Sequence, residues 1–413
     1  MRTRLCRLIG IVLALMMTFA AFAGAQDENA PEPAPKVMRF VQRALAWYPN
    51  SEFELVSNTR FQTPSGSYRF VEIARTCASR ILTGKPTMLV DENANTIWLG
   101  SVGELPPFQS AGAGPEALRS FLSEFLPEAL KASMGIKVQI EWDAGPRRPG
   151  ALIPFILKVD SGYGTHRRQA AVTADGKYLV IASEMPLDED PVAYRKRLLA
   201  DNDFVVWDTA AGGKVTVDVV EFSDLECPAC KGKWPIINMV LAKNAGSVRH
   251  GMVSYPLTMI HPWAFRAASA SWCVALQDPQ ALIPFKETFY GLQREMEVAL
   301  VTGTSVDFIA GRGLDEGAFR ECYLRPPSID AVHQQLSLGQ AMGVSATPTY
   351  FVNGWKIQVP DGSWFPALVE RLIEGEEPSA PRSGIVPRSN DETEEPGSLP
   401  RGALRISLLR LVI

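Results

Sequence analysis

Residues 219–234, VVEFSDLECPACKGKW, carry the pattern that predicts the fold of the C-terminal half of this chain. It joins an apolar run to a Cys-Pro-Ala-Cys sequence, whose proline suits the start of a helix because that position needs no backbone N–H. The stretch therefore predicts a buried strand over residues 215–222 and a helix over residues 228–243. Cys227 then lies at the N-terminus of the helix, and Cys230 lies about one turn further along.

This placement predicts redox chemistry at the two cysteines. Unpaired N–H groups and the positive end of the helix dipole favour the thiolate of Cys227. We therefore expect its pKa to lie below the roughly 8.5 of a free thiol. Because the thiolate attacks a disulfide, Cys227 is the expected attacking and leaving sulfur, and Cys230 is the expected resolving thiol.

A zinc site is the alternative for two cysteines at this spacing, but it requires two further ligands. Cys273 and Cys322 are solitary in the sequence. The four histidines are scattered along the chain, at His166, His250, His261 and His333. The sequence favours redox chemistry, and we expect neither a metal nor another cofactor.

The surrounding sequence predicts an α/β domain over residues 212–375. A second strand is predicted over residues 248–257, followed by a mostly helical segment over residues 263–342. The pattern closes with the strand-like run TPTYFVNG, residues 347–354, and a last helix over residues 365–374.

Four separated features of this domain resemble one known family. They are Glu221, which lies six residues before Cys227, the CPAC sequence, HPWAFRAA at residues 261–268, and GVSATPTYFVNG at residues 343–354. Together they resemble the thioredoxin-fold disulfide oxidoreductases of the bacterial cell envelope, the DsbA, DsbC and DsbG group. The resemblance covers residues 214–375, which is under half of the chain.

The resemblance implies a thioredoxin fold with a helical insertion and a redox-active Cys227–Cys230 pair. It also implies a cis peptide at Thr347-Pro348 that faces the pair and offers its backbone to the substrate chain. Cis peptides are a small minority of X-Pro bonds in folded proteins, so the local sequence alone predicts none.

Glu221 falls within the predicted buried strand, where an unpaired carboxylate is costly. The functional interpretation is a raised pKa and a proton relay to Cys230. The alternative is a glutamate that points to the surface.

The direction of exchange depends on the reduction potential of the pair. In the resembled family, the positions of Pro228, Ala229 and Thr347 tune that potential. Pro-Ala departs from the dipeptides of the best-studied oxidase and isomerase members. Thr347 resembles the residue before the cis proline in DsbC and DsbG, whereas the helical insertion resembles that of DsbA. Two directions therefore stay open: oxidation, or isomerisation and reduction.

The region over residues 36–200 is predicted to be α+β. Apolar residues recur at helical spacing over residues 37–48 and 117–131. Each of these segments is followed by strand-like runs, and the last run of each set has the pattern of a β-hairpin. This order fits two tandem units or one α+β domain with accidental similarity. We expect a binding or dimerisation module there, followed by a linker helix and flexible joint over residues 188–213.

Composition excludes several classes of protein. The 413 residues are 46% hydrophobic and 21% charged, as in globular proteins, and the net charge of -4 argues against nucleic acid as the main partner.

Residues 1–25 combine three Arg, an apolar run and small residues, which predicts a cleaved signal peptide and a periplasmic or extracytoplasmic location. An uncleaved anchor is the alternative. Residues 376–413 are rich in Pro, Ser and acids, which predicts a disordered tail.

The six cysteines divide by position. Cys6 is expected to leave with the signal peptide. Cys273 and Cys322 lie in the helical insertion, and in an oxidising compartment we expect them to form a structural disulfide. Cys77 is then either a buried thiol or an intermolecular link.

These features predict a thiol-disulfide oxidoreductase that acts on unfolded or disulfide-containing secreted proteins. It would use a membrane or soluble redox partner and would form a homodimer through the N-terminal region. The alternative is a client-binding or chaperone-like protein in which the N-terminal module carries the main role.

Overall fold

The computed structural model describes most of the chain between its ends. The described residues are 35–63, 66–77, 80–81, 87–92, 94–105, 115–134, 137–142, 152–160, 162, 164–207, 215–358, 360–378 and 382–384. The predicted signal peptide and the side chain of Cys77 lie outside this description. No helix among these residues is long and apolar enough to cross a membrane.

The N-terminal region is one large antiparallel sheet with two helices. The helices are α1 (Pro35–Ala44) and α2 (Pro115–Met134). The strands are β1 (Ser51–Thr63), β2 (Gly66–Cys77), β3 (Arg80–Ile81), β4 (Thr87–Asp91), β5 (Thr96–Glu104), β6 (Lys137–Trp142), β7 (Ile153–Asp160), β8 (Thr165–Val172) and β9 (Tyr178–Pro186). Their order is β1-β2-β4-β5-β9-β8-β7-β6, and β3 pairs with β2.

The amphipathic patterns in this region explain which faces are buried. Leu118, Leu122 and Leu126 recur every four residues along α2 and are buried. They pack with Phe155 and Leu157 of β7, a strand along which buried and partly buried residues alternate. The predicted α+β class is confirmed. The same order of one helix and four main strands in each half supports a duplication, which stays a prediction.

The C-terminal domain contains a five-stranded sheet and an inserted helical layer. Its strands are β10 (Val206–Trp207), β11 (Val217–Ser223), β12 (Val248–Ser254), β13 (Thr349–Val352) and β14 (Trp355–Ile357). Its helices are α4 (Pro228–Lys243), α5 (Ala264–Gln277), α6 (Leu282–Gly291), α7 (Val301–Arg312), α8 (Glu316–Cys322), α9 (Pro326–Ala341) and α10 (Phe365–Ile373), with a 3-10 turn at Pro279–Ala281.

The strand order in this sheet is β10-β12-β11-β13-β14. Strands β11 and β12 are parallel and are joined through α4, while β13 runs antiparallel to β11. The insertion α5–α9 lies between β12 and β13 in the chain. This topology places the N-terminus of α4 and the start of β13 at the same end of the sheet.

The segment expected to be a linker helix is packed into the structure. Helix α3 (Pro191–Ala200) is capped by Asp190, whose side chain accepts hydrogen bonds from the N–H groups of Val192 and Ala193. Val192 belongs to the core of the C-terminal domain, and β10 adds an edge strand to β12. Gly354 (φ 82°) lets the chain approach closely, because a Cβ there would lie 2.5 Å from the carbonyl oxygen of Val192. The predicted linker helix is therefore present as α3 but packs against the C-terminal domain, and the Gly-Gly end of the segment, where the flexible joint is predicted, lies outside the described residues.

Trp47 joins the N-terminal region to the C-terminal domain. Its N–H donates to the carbonyl of Lys356 at 2.7 Å, and its carbonyl accepts from the N–H of Gln358 at 2.8 Å. Its side chain is 5% exposed and lies in the core of the C-terminal domain, with its ring 5.8 Å from that of Trp364.

The tail contributes one short element. Strand β15 (Arg382–Gly384) pairs parallel with β1, at the otherwise free edge of the N-terminal sheet. The prediction of a disordered tail over residues 376–413 is therefore wrong at these three residues, because an unpaired sheet edge can order a short segment of little intrinsic pattern. The remainder of the tail beyond residue 384 lies outside the described residues.

Candidate active site

Cys227 lies at the junction of β11 and α4. It is the N-cap residue of the helix, with extended backbone (φ -71°, ψ 117°), and Pro228 occupies the first helical turn. The Cys227 side chain makes no capping hydrogen bond and is 5% exposed, whereas Cys230 is fully buried within the helix. Both thiols are free in the structure.

The Thr347-Pro348 peptide is cis and lies beside Cys227. The Cys227 thiol donates to the carbonyl of Thr347, with 3.5 Å between sulfur and oxygen. Because β13 starts at Thr349 and pairs with β11, the loop before it is held next to the start of α4. The structure thus brings the cysteine pair and the proline loop together.

The two cysteines have opposite pKa shifts. A hydrogen bond from the Cys230 thiol lowers the pKa of Cys227 to about 6; burial opposes this shift, and the N–H groups of Cys230 and Ala229 reinforce it. Burial raises the pKa of Cys230 well above its usual value, as does the negative charge of Cys227 and of Glu221. The Cys227 thiol is therefore largely ionised near neutral pH, while Cys230 stays protonated.

Glu221 is a buried ion-pair residue rather than an acid with a raised pKa. Its Oε2 accepts a hydrogen bond from Nζ of Lys286 at 2.6 Å, and Nε2 of His250 lies 3.5 Å from the same oxygen. Burial raises the pKa of Glu221, but Lys286 and His250 outweigh burial and lower it to about 2. The predicted raised pKa is wrong, and so is the surface-pointing alternative. An ionised Glu221 holds no proton to relay at neutral pH.

Sequence reasoning missed Lys286 and His250. Lys286 is fully buried, and its Nζ lies 3.7 Å from the ring centroid of Trp234. Trp234 in turn donates from its indole N–H to Glu287 Oε1 at 2.9 Å. The available signal was a lysine in the otherwise apolar first turns of α6 and a histidine within the buried strand β12.

A second polar cluster ties the start of the insertion to the cysteine loop. Asp224 Oδ2 lies 2.7 Å from His261 Nδ1 and accepts from the N–H of Leu257, while Glu226 Oε2 accepts from the N–H of Trp263 at 2.7 Å. Burial raises the pKa of Glu226 to about 7, and Asp224 adds to the rise. Burial lowers the pKa of His261, but the hydrogen bond to Asp224 outweighs it and the net shift is upward.

Cys273 and Cys322 are joined in a disulfide with an S–S distance of 1.99 Å and a Cα–Cα distance of 5.8 Å. The bond links α5 to the end of α8.

Comparison with known proteins supports the fold of this half of the chain. Residues 210–371 match the family model described as Thioredoxin. The resemblance to thioredoxin-fold proteins is confirmed for this region, as is the predicted α/β class.

Curated relatives match over a limited part of their length. The chain is 28% identical over 188 residues to Na(+)/H(+) antiporter NhaA 3 of Salinispora tropica, covering 44% of this chain and 28% of that protein. It is 30% identical over 138 residues to Na(+)/H(+) antiporter NhaA 1 of Salinispora arenicola, covering 33% of this chain and 20% of that protein.

Solved structures match over a similar share of the chain. The catalytic domain of Proteus mirabilis ScsC is 17% identical, with 45% of this chain and 97% of that chain covered and a TM-score of 0.37. Wolbachia pipientis alpha-DsbA1 is 17% identical, with 44% and 96% covered and a TM-score of 0.38. A thioredoxin-like oxidoreductase from Silicibacter pomeroyi is 18% identical, with 43% and 95% covered and a TM-score of 0.35.

Proposed function

We propose that the protein is a thiol-disulfide oxidoreductase that exchanges disulfides through Cys227 and Cys230. The main observation that supports this proposal is that the pKa values of the two thiols are shifted in opposite directions. Cys227 sits at a helix N-terminus with a pKa of about 6, beside the Thr347 carbonyl, and Cys230 is buried with a raised pKa. The thioredoxin family match over residues 210–371 supports this proposal.

The reaction follows from this contrast. In the reducing direction, the Cys227 thiolate attacks a substrate disulfide, forms a mixed disulfide and releases one substrate sulfur as a thiolate that takes up a proton. Cys230 then loses its proton and attacks the Cys227 sulfur, so the second substrate sulfur leaves and the enzyme pair becomes a disulfide. In the oxidising direction, a substrate thiolate attacks the enzyme disulfide at Cys227, and the same steps run in reverse.

The pKa of Cys227 bears on the direction of exchange. A value of about 6 lies between the roughly 7 of thioredoxin and the roughly 3.5 of DsbA. Because a more stable thiolate favours the reduced form, we expect a reduction potential between about -270 mV and about -120 mV. Pro228, Ala229 and Thr347 are the proposed tuning residues, since the first two form the turn between the sulfurs and the third contacts Cys227.

The proposed substrates are unfolded or disulfide-containing secreted proteins outside the cytoplasm. The proposal includes a membrane or soluble redox partner that returns the Cys227–Cys230 pair to its starting oxidation state after each exchange. The N-terminal region is proposed to bind substrate proteins or a second copy of the chain, consistent with its large sheet and its docking through Trp47.

Turnover assays test the proposal. Insulin reduction and refolding of scrambled ribonuclease are measured for the parent, Cys227→Ser and Cys230→Ser. Cys77→Ser is the matched control, because it removes a thiol outside the proposed active site. We expect both active-site variants to lose turnover and the control to retain it. An inactive parent would contradict the proposal. Retained client binding as the main activity in the double Cys227→Ser, Cys230→Ser variant would favour a chaperone-like role.

A further inference from the structure

The loop directly before Cys227 is hydrogen-bonded at each of its three residues to the segment between β12 and β13. Its contacts are those of Asp224 with the N–H of Leu257 and the ring of His261, of the Leu225 carbonyl with Nε2 of Gln293, and of Glu226 with the N–H of Trp263. Of these four partners, His261 is the one whose side chain can gain a positive charge near neutral pH. Its contact can therefore bring a charge to the loop, whereas the other three cannot.

Asp224 fixes the orientation and the proton of the His261 ring. The Asp224 side chain is buried and also accepts hydrogen bonds from the N–H groups of Leu257 and Glu226, at 2.8 Å each, as a carboxylate does. Because a carboxylate only accepts, the 2.7 Å contact between Oδ2 and Nδ1 requires that Nδ1 of His261 carries a proton. The proton that His261 gains and loses with pH is then the one on Nε2, and the His261 side chain is 13% exposed to solvent.

The same aspartate holds the backbone of Cys227. The N–H of Cys227 donates to the carbonyl of Asp224 at 3.1 Å, so Asp224 contacts both His261 and Cys227. The charges of the two residues interact. Burial lowers the pKa of His261, but Asp224 raises it more strongly, and the negative charges of Cys227 and then Glu226 add to the rise.

Electrostatic coupling between two titratable groups is reciprocal. Because the Cys227 thiolate favours the protonated form of His261, the imidazolium favours the thiolate by the same free energy. The pKa of Cys227 is about 6, and that of His261 lies above its ordinary value of about 6.5. The thiolate and the imidazolium are therefore present together in mildly acidic solution.

We propose that His261, oriented by Asp224, is a positioning residue for exchange, and that its imidazolium is the counter-charge of the Cys227 thiolate. This inference rests on the proposed function, because it concerns the thiolate that attacks the substrate disulfide. Glu226 belongs to the same cluster, and burial raises its pKa to about 7. As pH rises through neutrality, Glu226 ionises and His261 loses its proton. The cluster therefore stabilises the thiolate most in mild acid, where protonation of Cys227 would otherwise slow the attack.

The alternative is a purely structural role, in which His261 joins the segment before α5 to the cysteine loop and has no effect on the charge of Cys227. The substitution His261→Asn separates the two roles. The amide N–H of Asn takes the position of Nδ1 and keeps the hydrogen bond to Asp224, but it brings no positive charge.

Absorbance at 240 nm, measured on reduced protein in a Cys77→Ser background, follows the titration of Cys227. We expect His261→Asn to raise the Cys227 midpoint by about 0.5 pH unit or more. The matched control is His333→Asn, which should leave the midpoint unchanged, since His333 lies on α9 with its ring 5.7 Å from that of Phe265. An unchanged midpoint in a folded His261→Asn protein would overturn the proposal.

An NMR titration of the histidine rings measures the reciprocal effect without a change at His261. We expect the pKa of His261 to be lower by about 0.5 unit or more in Cys227→Ser and in the oxidised parent than in the reduced parent, because neither carries the thiolate. Equal values in the three proteins would overturn the proposal, also where His261→Asn does not fold. Neither titration involves a substrate, so an inactive parent in the insulin assay contradicts the proposed function, while absent shifts in an active parent contradict the role of His261 alone.

Discussion

Cys227 and Glu221 differ in how far the local sequence determines their properties. The pKa of Cys227 is lowered chiefly by a hydrogen bond from Cys230, three residues further along the same helix, and a hydrogen bond from the side chain of Thr347 adds to that shift. A Cys-Pro-Ala-Cys sequence after an apolar strand is therefore enough to predict the direction of the shift. The pKa of Glu221 depends on Lys286, 65 residues away on α6. Its direction was mispredicted because no local pattern shows which side chain the insertion brings into the core.

The Cys227 thiolate should persist in mildly acidic solution. In the reduced parent, absorbance at 240 nm is expected to titrate with a midpoint near pH 6. Because the folded pKa is below the unfolded value of about 8.5, the ionised thiolate stabilises the reduced protein at high pH. That contribution declines as pH falls below the unfolded pKa and is lost through about pH 6. Cys227→Ser is the control and should show no midpoint there; a parent midpoint near 8.5 would refute the assignment.

The losses of stability from removing the two partners of the buried ion pair should not be additive. Glu221→Gln leaves Lys286 buried without its carboxylate, and we expect a loss of about 3 to 5 kcal/mol in the free energy of unfolding. A double Glu221→Gln, Lys286→Met variant should lose less than the sum of the two single losses. Urea unfolding of the four proteins measures this coupling, and strictly additive losses would speak against it.

At the scale of elements, regular patterns were predictable and short edge strands were not. The long strands of the N-terminal sheet lie where alternating or apolar runs predict them, since each has enough residues to define a face. Strands β10 and β15 have two and three residues. They form because β12 and β1 offer edges to pair with, which is a property of the assembled sheets.

The disulfide in the insertion should stabilise the domain without contributing to exchange. Cys273 and Cys322 are 49 positions apart, and closing a loop of this size contributes about 4 kcal/mol in the chain-entropy account. The double Cys273→Ala, Cys322→Ala variant is therefore expected to unfold at lower urea concentration while insulin reduction per folded molecule stays at the parent level. An unchanged urea midpoint would show that the bond contributes little.

At the scale of the whole molecule, Trp47 makes the two regions depend on each other. It forms a β-bridge with Ile357 at the edge of the C-terminal sheet, although most of the chain separates the two residues in sequence. No sequence period predicts such a contact, which is why the sequence indicated only a linker helix and a flexible joint between the two regions.

Trp47→Ala should destabilise the C-terminal domain although the residue lies in the N-terminal region. Truncating a buried tryptophan costs about 3 to 5 kcal/mol, and we expect a lower urea midpoint for the C-terminal domain, followed by near-ultraviolet circular dichroism. Tyr48→Ala is the matched control, since Tyr48 contacts the edge of Trp364 but is only half-buried. Equal effects of the two substitutions would argue against docking through Trp47.

Capture of a mixed disulfide distinguishes Cys227 from Cys230 as the attacking sulfur. In a Cys77→Ser background, reduced Cys230→Ser and Cys227→Ser proteins are mixed with glutathione disulfide at pH 7 and followed by intact mass. We predict that Cys230→Ser accumulates one adduct at Cys227, reversible by dithiothreitol, and that Cys227→Ser reacts at least about 100-fold more slowly because its remaining thiol is buried and protonated. Equal rates in the two variants, or no adduct at Cys227, would contradict the assignment of Cys227 as the attacking sulfur.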